Sequence, residues 1–226
     1  MAGWGGELLE MAIDKGMFVT FEGVDGSGKT TVMAVVYDLL KAAGLPVVAT
    51  REPGGVAIAE QIRQIILDNG NTAMDPRTEA LLYAASRRQH LVEVLRPLLA
   101  AGKLVLSDRF IDSSLAYQGY ARGIGLKEVE TINAFAMEGL WPDVTYYLDV
   151  RPRDALKRIA GDAGHEENRL DVEKLSFHER VYEGYAKLLK IFPQRMISID
   201  GYQPMAAESR QIAADIAKRW TARNSH

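Results

Sequence analysis

Short, nearly continuous apolar runs alternate along the chain with longer segments in which apolar residues recur every third or fourth position. The first kind predicts β-strands at Phe18–Phe21, Pro46–Thr50, Leu104–Leu106, Val144–Leu148 and Met196–Ile199. The second predicts helices over Thr30–Ala43, from Gly54-Gly55 through Leu67, and over Pro76–Leu99, Asp112–Tyr117, Leu126–Glu138, Arg153–Ile159, Leu170–Ile191 and Met205–Arg223. Turn residues punctuate them: Gly44 closes the first helix, Asp68-Asn69-Gly70-Asn71 breaks the second, and Asp75-Pro76 starts the third, which Pro97 disturbs. Strand followed by helix, repeated, implies right-handed crossovers and a parallel sheet covered on both faces, in one α/β domain. The polar, glycine-containing stretch Gly161–Asn168 has no apolar face to bury. Its composition is that of a solvated loop, and its position between two helices is that of a mobile lid.

Composition excludes several kinds of chemistry. Among 226 residues there is no cysteine, so disulfides, thiolate catalysis and Cys-ligated zinc are impossible. His90, His165, His178 and His226 are too scattered to form a metal site. With 27 Lys and Arg against 30 Asp and Glu the net charge is −3, which argues against binding a nucleic-acid polymer but leaves room for a small phosphorylated ligand held by a few local cations. No stretch is apolar for long enough to cross a bilayer, and Met1–Gly16 carries Glu7, Glu10 and Asp14, unlike a secretory signal. The expectation is a cytoplasmic protein with an N-terminal extension over 1–16, no membrane partner, and a single domain over 17–226.

Within that frame, Gly23-Val24-Asp25-Gly26-Ser27-Gly28-Lys29-Thr30 fits G-x-x-x-x-G-K-[ST], the P-loop, placed between a predicted strand and a predicted helix. Its glycines let successive N–H groups face a phosphate, and the helix amino terminus adds partial positive charge. Lys29 is positioned to reach β- and γ-phosphate oxygens, and the Thr30 hydroxyl to ligate Mg²⁺. The motif implies nucleoside triphosphate binding without choosing among kinases, GTPases and ATPases; no N-K-x-D signature supports a GTPase. Arg51 and Asp108-Arg109 lie at the carboxyl ends of the second and third predicted strands, where ligands of open α/β sheets gather. Asp108 suits a Mg²⁺-bound water or an orienting contact to Lys29. The alternatives are a surface Arg51 beside a turn and a structural Asp108–Arg109 salt bridge. Tyr83 and Arg87, four apart on one helix face, suit stacking and hydrogen bonding to a base, or ordinary helix packing.

Together with Thr50-Arg51-Glu52-Pro53-Gly54-Gly55, Leu81–Gln89, Asp108-Arg109-Phe110, Ser113-Ser114-Leu115-Ala116-Tyr117-Gln118-Gly119 and Pro142-Asp143, the P-loop through Thr31 resembles that of bacterial thymidylate kinases. The resemblance runs from about Met17 to the final helix. It implies a three-layer α/β/α P-loop kinase fold with a central five-stranded parallel sheet and a short lid at about 158–171. The activity implied is transfer of the γ-phosphoryl group of ATP to dTMP, with Mg²⁺, in a homodimer.

Carried over by position, Gly23, Val24, Asp25, Gly26, Ser27, Gly28, Lys29, Thr30 and Thr31 bind ATP, with Arg158 facing adenine or phosphates. Thr30 and Asp108 serve the metal. Asp25 contacts the deoxyribose 3′-hydroxyl, Arg51 and Arg109 the dTMP phosphate, Tyr83 the thymine face and Arg87 a thymine carbonyl, while Ser113, Tyr117 and Gln118 close over sugar and base. Lys29, Arg109, Asp25 and Arg169 form the expected catalytic set, with Arg169 as a charge-neutralising finger. The lid departs from the family in offering only Arg158 and Arg169 around acidic Asp162, Glu166 and Glu167. A kinase for another nucleotide and a nucleotide-binding module with weak transfer are the competing readings.

Overall fold

In a computed structural model the described residues are 16–161, 169–170 and 173–225. The expected extension, apart from Gly16, and residues 162–168 and 171–172 of the expected lid lie outside them. Five strands, β1 (Met17–Glu22), β2 (Val47–Arg51), β3 (Leu104–Asp108), β4 (Val144–Asp149) and β5 (Met196–Asp200), form one parallel sheet in the order β2-β3-β1-β4-β5. The helices are α1 (Lys29–Ala42), α2 (Ala57–Leu67), α3 (Pro76–His90), α4 (Arg96–Ala100), α5 (Ile111–Ser114), α6 (Leu126–Met137), α7 (Pro152–Ala160), α8 (Leu175–Ile191) and α9 (Met205–Asn224).

The strands are apolar on both sides because both faces are covered. Met17, Val19 and Phe21 of β1 join Leu104 and Leu106 of β3 and pack under Val32, Val36 and Leu40 of α1 and Ile212 and Ile216 of α9. Phe18 and Val105 point the other way, against Leu91, Leu95, Leu99, Leu115, Val181 and Leu188. Each such buried side chain contributes about 1.5–3 kcal/mol relative to an exposed one. Among the described residues no helix is long and apolar enough to cross a membrane.

Local chemistry accounts for the element ends. Asp75 caps α3 by accepting from the N–H groups of Arg77 and Thr78 at 2.9 and 3.1 Å, with Pro76 at the first helical position. The disturbance expected at Pro97 takes the form of a π-helical turn at Leu91–Leu95 joining α3 to α4. Proline lacks the N–H that would bond four residues back, and the widened turn absorbs the defect without breaking the rod. A second π-helical segment, Leu115–Ala121, follows α5 and carries Tyr117 and Gln118. The helix expected from Leu170 starts instead at Leu175.

One buried ion pair anchors the sheet to α5. Asp112 is fully buried and accepts from both terminal nitrogens of Arg195 at 2.7 and 2.6 Å. Arg195 precedes β5 and lies against the rings of Trp141 and Phe192. Arg195→Ala is expected to lower the unfolding free energy by about 3 kcal/mol, since it strands a buried carboxylate. Urea unfolding should show a lower midpoint with an unchanged slope; a shift smaller than ~1 kcal/mol would contradict this account.

Candidate active site

β1 delivers the chain into Gly23–Gly28, and α1 starts at Lys29. Gly26 and Gly28 have φ of 79° and 91°, and a Cβ on Gly26 would lie 2.2 Å from the carbonyl oxygen of Ala155 in α7. Only glycine fits there. No side chain of Gly28 can cap α1, so its first N–H groups and the positive end of its dipole are available to an anion. Lys29 is buried, with Nζ 3.9 Å from Asp25 Oδ1. Burial and the charge of Arg109 lower its pKa. The Thr30 hydroxyl donates to Asp108 Oδ2, while the other carboxylate oxygen of Asp108 is buried with no partner among the described residues.

Asp108 ends β3 in register with Phe21 of β1 and Arg51 of β2, so three strand ends meet here. Arg109 follows at φ 71°, a left-handed conformation that costs a side-chain-bearing residue roughly 1–2 kcal/mol. Its N–H donates to the Phe21 carbonyl at 2.9 Å. Its guanidinium donates to the Gly23 carbonyl at 3.1 Å, to Ser113 Oγ at 2.9 Å, to the Tyr117 hydroxyl at 3.3 Å and to Asp25 Oδ1. Tyr117 in turn donates to Asp25 Oδ2 at 2.7 Å. Burial alone would raise the Asp25 pKa; Arg109, Lys29 and the Tyr117 hydroxyl outweigh it and hold the carboxyl well below its usual range.

Beneath this cluster lies Glu22, fully buried. It accepts from the Phe110 and Ser113 N–H groups at 2.8 and 3.2 Å, the Ser113 hydroxyl at 2.6 Å and the Tyr185 hydroxyl at 2.8 Å. Burial and the nearby Asp112 charge push its pKa up to about 7.

Above Glu22, the residues Asp25, Lys29, Thr30, Asp108, Arg109, Ser113 and Tyr117 line a cavity of about 370 Å³, together with Arg51, Arg63, Tyr83, Arg87, Phe110 and Gln118. Arg51, at the end of β2, pairs with Glu60 of α2 at 2.7 Å. Arg87, buried, donates Nε to Glu52 at 2.8 Å, Nη1 to Ser114 at 3.0 Å and to Asn133, and Nη2 to the Phe110 carbonyl at 3.0 Å. Four of its five N–H groups are thereby used, leaving one on Nη2 for a ligand. The cavity thus combines a phosphate cradle and clustered cations with an aromatic wall and one directed donor.

The thymidylate kinase family model matches residues 21–212. The chain belongs to the thymidylate kinase family. It is 58% identical over 185 residues to the thymidylate kinase of Bacillus velezensis, covering 82% of this chain and 87% of that protein. Identity to the thymidylate kinase of Halalkalibacterium halodurans is 54% over 204 residues, 90% of this chain and 95% of that protein. For that of Clostridium novyi it is 55% over 193 residues, covering 85% and 94% respectively.

Of the residues proposed from sequence, Asp25, Gly26, Lys29, Thr30, Arg51, Tyr83, Arg87, Asp108, Arg109, Ser113, Tyr117 and Gln118 line this one cavity. Val24 instead turns its side chain into the core, and Thr31 is exposed on α1. Arg158 lies beside the P-loop, donating to the Ser27 carbonyl at 3.3 Å and the Gly201 carbonyl at 3.1 Å. Arg169, expected as a charge-neutralising finger, is engaged with Glu79 in this structure: its Nη2 donates to Glu79 at 2.5 Å and its Nε to the Ile66 carbonyl at 2.9 Å. Glu79 is buried and also takes Arg122 and the Gln118 amide, at 3.2 and 2.7 Å. A carboxylate this deeply buried needs compensating charge, and Arg169 supplies part of it.

Sequence reading missed Glu22, Glu79, Tyr185 and Arg63 in this thymidylate kinase site. Only Glu22, one residue before the P-loop, carried a signal: an acid among the apolar residues of a central strand.

Glu22 yields a pH prediction. An unfolded chain ionises this carboxyl near its ordinary value of 4.5, the folded chain near 7. Between those values the folded state holds the extra proton, so Glu22 contributes a loss of stability as pH rises, complete above about 7. The unfolding free energy of the wild type relative to Glu22→Gln should therefore fall by about 3 kcal/mol from pH 4.5 to 7.5. Paired denaturant titrations check this, and a constant difference would refute it.

Proposed function

We propose that the cavity is the acceptor site of the family's reaction and that the P-loop beside it holds the donor. The enzyme phosphorylates dTMP to dTDP with ATP. The observation that carries the assignment of sites is the convergence of Lys29, Arg51 and Arg109 from three neighbouring strand ends onto one cavity.

On this reading Tyr83 and Phe110 flank the base, and the remaining Nη2 hydrogen of Arg87 meets a carbonyl on it. Asp25, ionised and fixed by Tyr117, Arg109 and Lys29, takes the sugar hydroxyl. Arg51 and Arg109 hold the acceptor phosphate, while Lys29 and the α1 amino terminus hold the β- and γ-phosphates of ATP. Two anionic groups that repel in water are aligned by cations already in place, so the protein supplies positioning and charge stabilisation. Arg158, beside the Ser27 carbonyl, faces the donor nucleotide.

The Asp108 oxygen that has no partner among the described residues and the Thr30 hydroxyl fit Mg²⁺, a hard cation that takes few protein oxygens and completes its shell with phosphate and water. When bound, Mg²⁺ supplies charge neutralisation on the phosphate oxygens of ATP.

Lys29→Ala should lower kcat about 10³-fold while dTMP affinity changes little, because the contact develops on the transferring group. Steady-state assays with dTMP, dUMP, dCMP, dGMP and dAMP as acceptors check both this loss and the preference for dTMP. Unchanged turnover, or preference for another acceptor, would overturn the assignment.

A homodimer is the accompanying proposal. Leu81 of α3 and Phe135 of α6 are 55% and 88% exposed, on helices packed side by side, and Ile58 and Ile65 of the adjoining α2 are each 49% exposed. Such a set of apolar side chains is what a subunit interface would cover. Light scattering should give twice the chain mass for the wild type and one chain mass for a Leu81→Asp, Phe135→Asp variant. A monomeric wild type would refute the dimer.

A further inference from the structure

Arg87 and His90 stand three residues apart on α3, on one face of the helix, and both meet the carboxylate of Glu52. All three side chains are buried. Glu52 follows β2, and its N–H donates to the Asp108 carbonyl at 3.0 Å, which fixes the backbone from which its side chain projects. Its Oε2 accepts from Arg87 Nε at 2.8 Å and its Oε1 from His90 Nδ1 at 2.9 Å. An ionised carboxylate only accepts, so the hydrogen of the second bond sits on Nδ1. In the neutral imidazole Nε2 is then an acceptor, and the Thr50 hydroxyl of β2 lies 2.6 Å from it.

This arrangement keeps Glu52 from a grip it would otherwise take. Arginine and carboxylate side chains commonly pair through two parallel bonds. For Glu52 these would run to Nε and Nη2, which share one edge of the guanidinium. Nη2 already donates to the Phe110 carbonyl at 3.0 Å, and Nη1 to Ser114 and Asn133, so the remaining Nη2 hydrogen is the one a ligand can use. The second oxygen of Glu52, drawn onto Nη2, would compete for that nitrogen. His90 holds this oxygen away from it.

We infer that His90 is a positioning residue for reading the acceptor base. By holding Oε1 of Glu52 it keeps the Glu52–Arg87 pair to a single bond, and so leaves an Nη2 hydrogen of Arg87 for the base carbonyl that thymine has and cytosine lacks. This rests on the reading of Arg87 as the group that meets the base.

The test measures kcat/KM for dTMP, dUMP and dCMP in the wild-type chain and in His90→Gln, His90→Asn and Arg87→Lys variants. An asparagine amide can stand where Nδ1 does and keep a donor for Glu52, whereas a glutamine amide stands nearer the position of Nε2. His90→Gln should lower the preference for dTMP over dCMP ~10- to 100-fold, through a raised KM for dTMP with kcat and the KM for ATP little changed. Its preference for dTMP over dUMP, which has the same two carbonyls, should stay within about twofold of wild type. His90→Asn should restore most of the preference over dCMP. If His90 only ties β2 to α3, His90→Gln lowers activity toward all three acceptors by one factor, and that result, or equal loss of preference in both His90 variants, would overturn the inference. Where His90→Gln fails to fold, Thr50→Val decides in its place: about 3- to 10-fold loss of the same preference supports the positioning role, and none overturns it. Preference lost in Arg87→Lys but intact in His90→Gln overturns only the role of His90, whereas preference intact in Arg87→Lys overturns the reading of Arg87 as well.

Discussion

The ion pair between Asp25 and Arg109 joins the loop after β1 to the residue after β3, and the cavity is organised around it. It explains why Arg109 tolerates a left-handed backbone. The conformation costs roughly 1–2 kcal/mol, and a charge-assisted bond to Asp25, further bonds to Gly23, Ser113 and Tyr117, and contact with the Tyr117 ring offset it. Residues in sparsely populated backbone regions persist only where their surroundings over-determine them. Arg109 is held at both ends, by β1 through its N–H and by the P-loop through its guanidinium.

The same device recurs around the cavity. Long cationic side chains lose rotamer entropy when fixed, and in a free side chain that loss would fall on the binding step. Here Glu60 holds Arg51, Glu52 holds Arg87, Asp25 holds Arg109 and Lys29, and Glu22 holds the backbone and hydroxyl of Ser113 beneath them. Acidic residues therefore do much of the work of an anion-binding site, by positioning its cations. This gives the net charge of −3 a structural meaning: a chain can be mildly acidic and still concentrate positive groups at one edge of its sheet.

What was legible in the sequence was local. The P-loop declares itself because its glycines and lysine follow one another in order, and the strands because both faces of the sheet are covered. Asp108-Arg109 could be placed because strand ends define the ligand edge of such sheets. The supporting groups were not legible, since their partners are set by the fold: Glu22 meets Tyr185 across 163 positions, and Arg169 meets Glu79 across 90. Arg63 gave no signal because an arginine on an amphipathic helix reads as a solvated face until the packing of α2 against α3 turns it into the cavity. The π-helical turns at Leu91–Leu95 and Leu115–Ala121 were equally hidden. A one-residue widening leaves the apolar periodicity nearly intact while changing where Tyr117 and Gln118 point.

The position of Arg169 bears on how charge is neutralised on the donor side. Between Gly161 and Leu175 the sequence contains no other arginine, and with Arg169 committed to Glu79, Arg158 is an arginine in direct contact with the P-loop, through the Ser27 carbonyl. Arg158 is anchored through the carbonyls of Ser27 and Gly201 and by the face of the Tyr202 ring. Neither carbonyl is a carboxylate, and Glu208 acts on it through space, without a salt bridge between them among the described residues. Arg169, by contrast, spends its charge on a carboxylate that Arg122 already compensates in part. If transfer needs a further cation, Arg169 would have to leave Glu79, and the buried carboxylate would then depend on Arg122 and Gln118 alone, at a cost of several kcal/mol. Arg158 faces no such penalty, and this difference is what supports the proposal that it, rather than Arg169, serves the donor nucleotide.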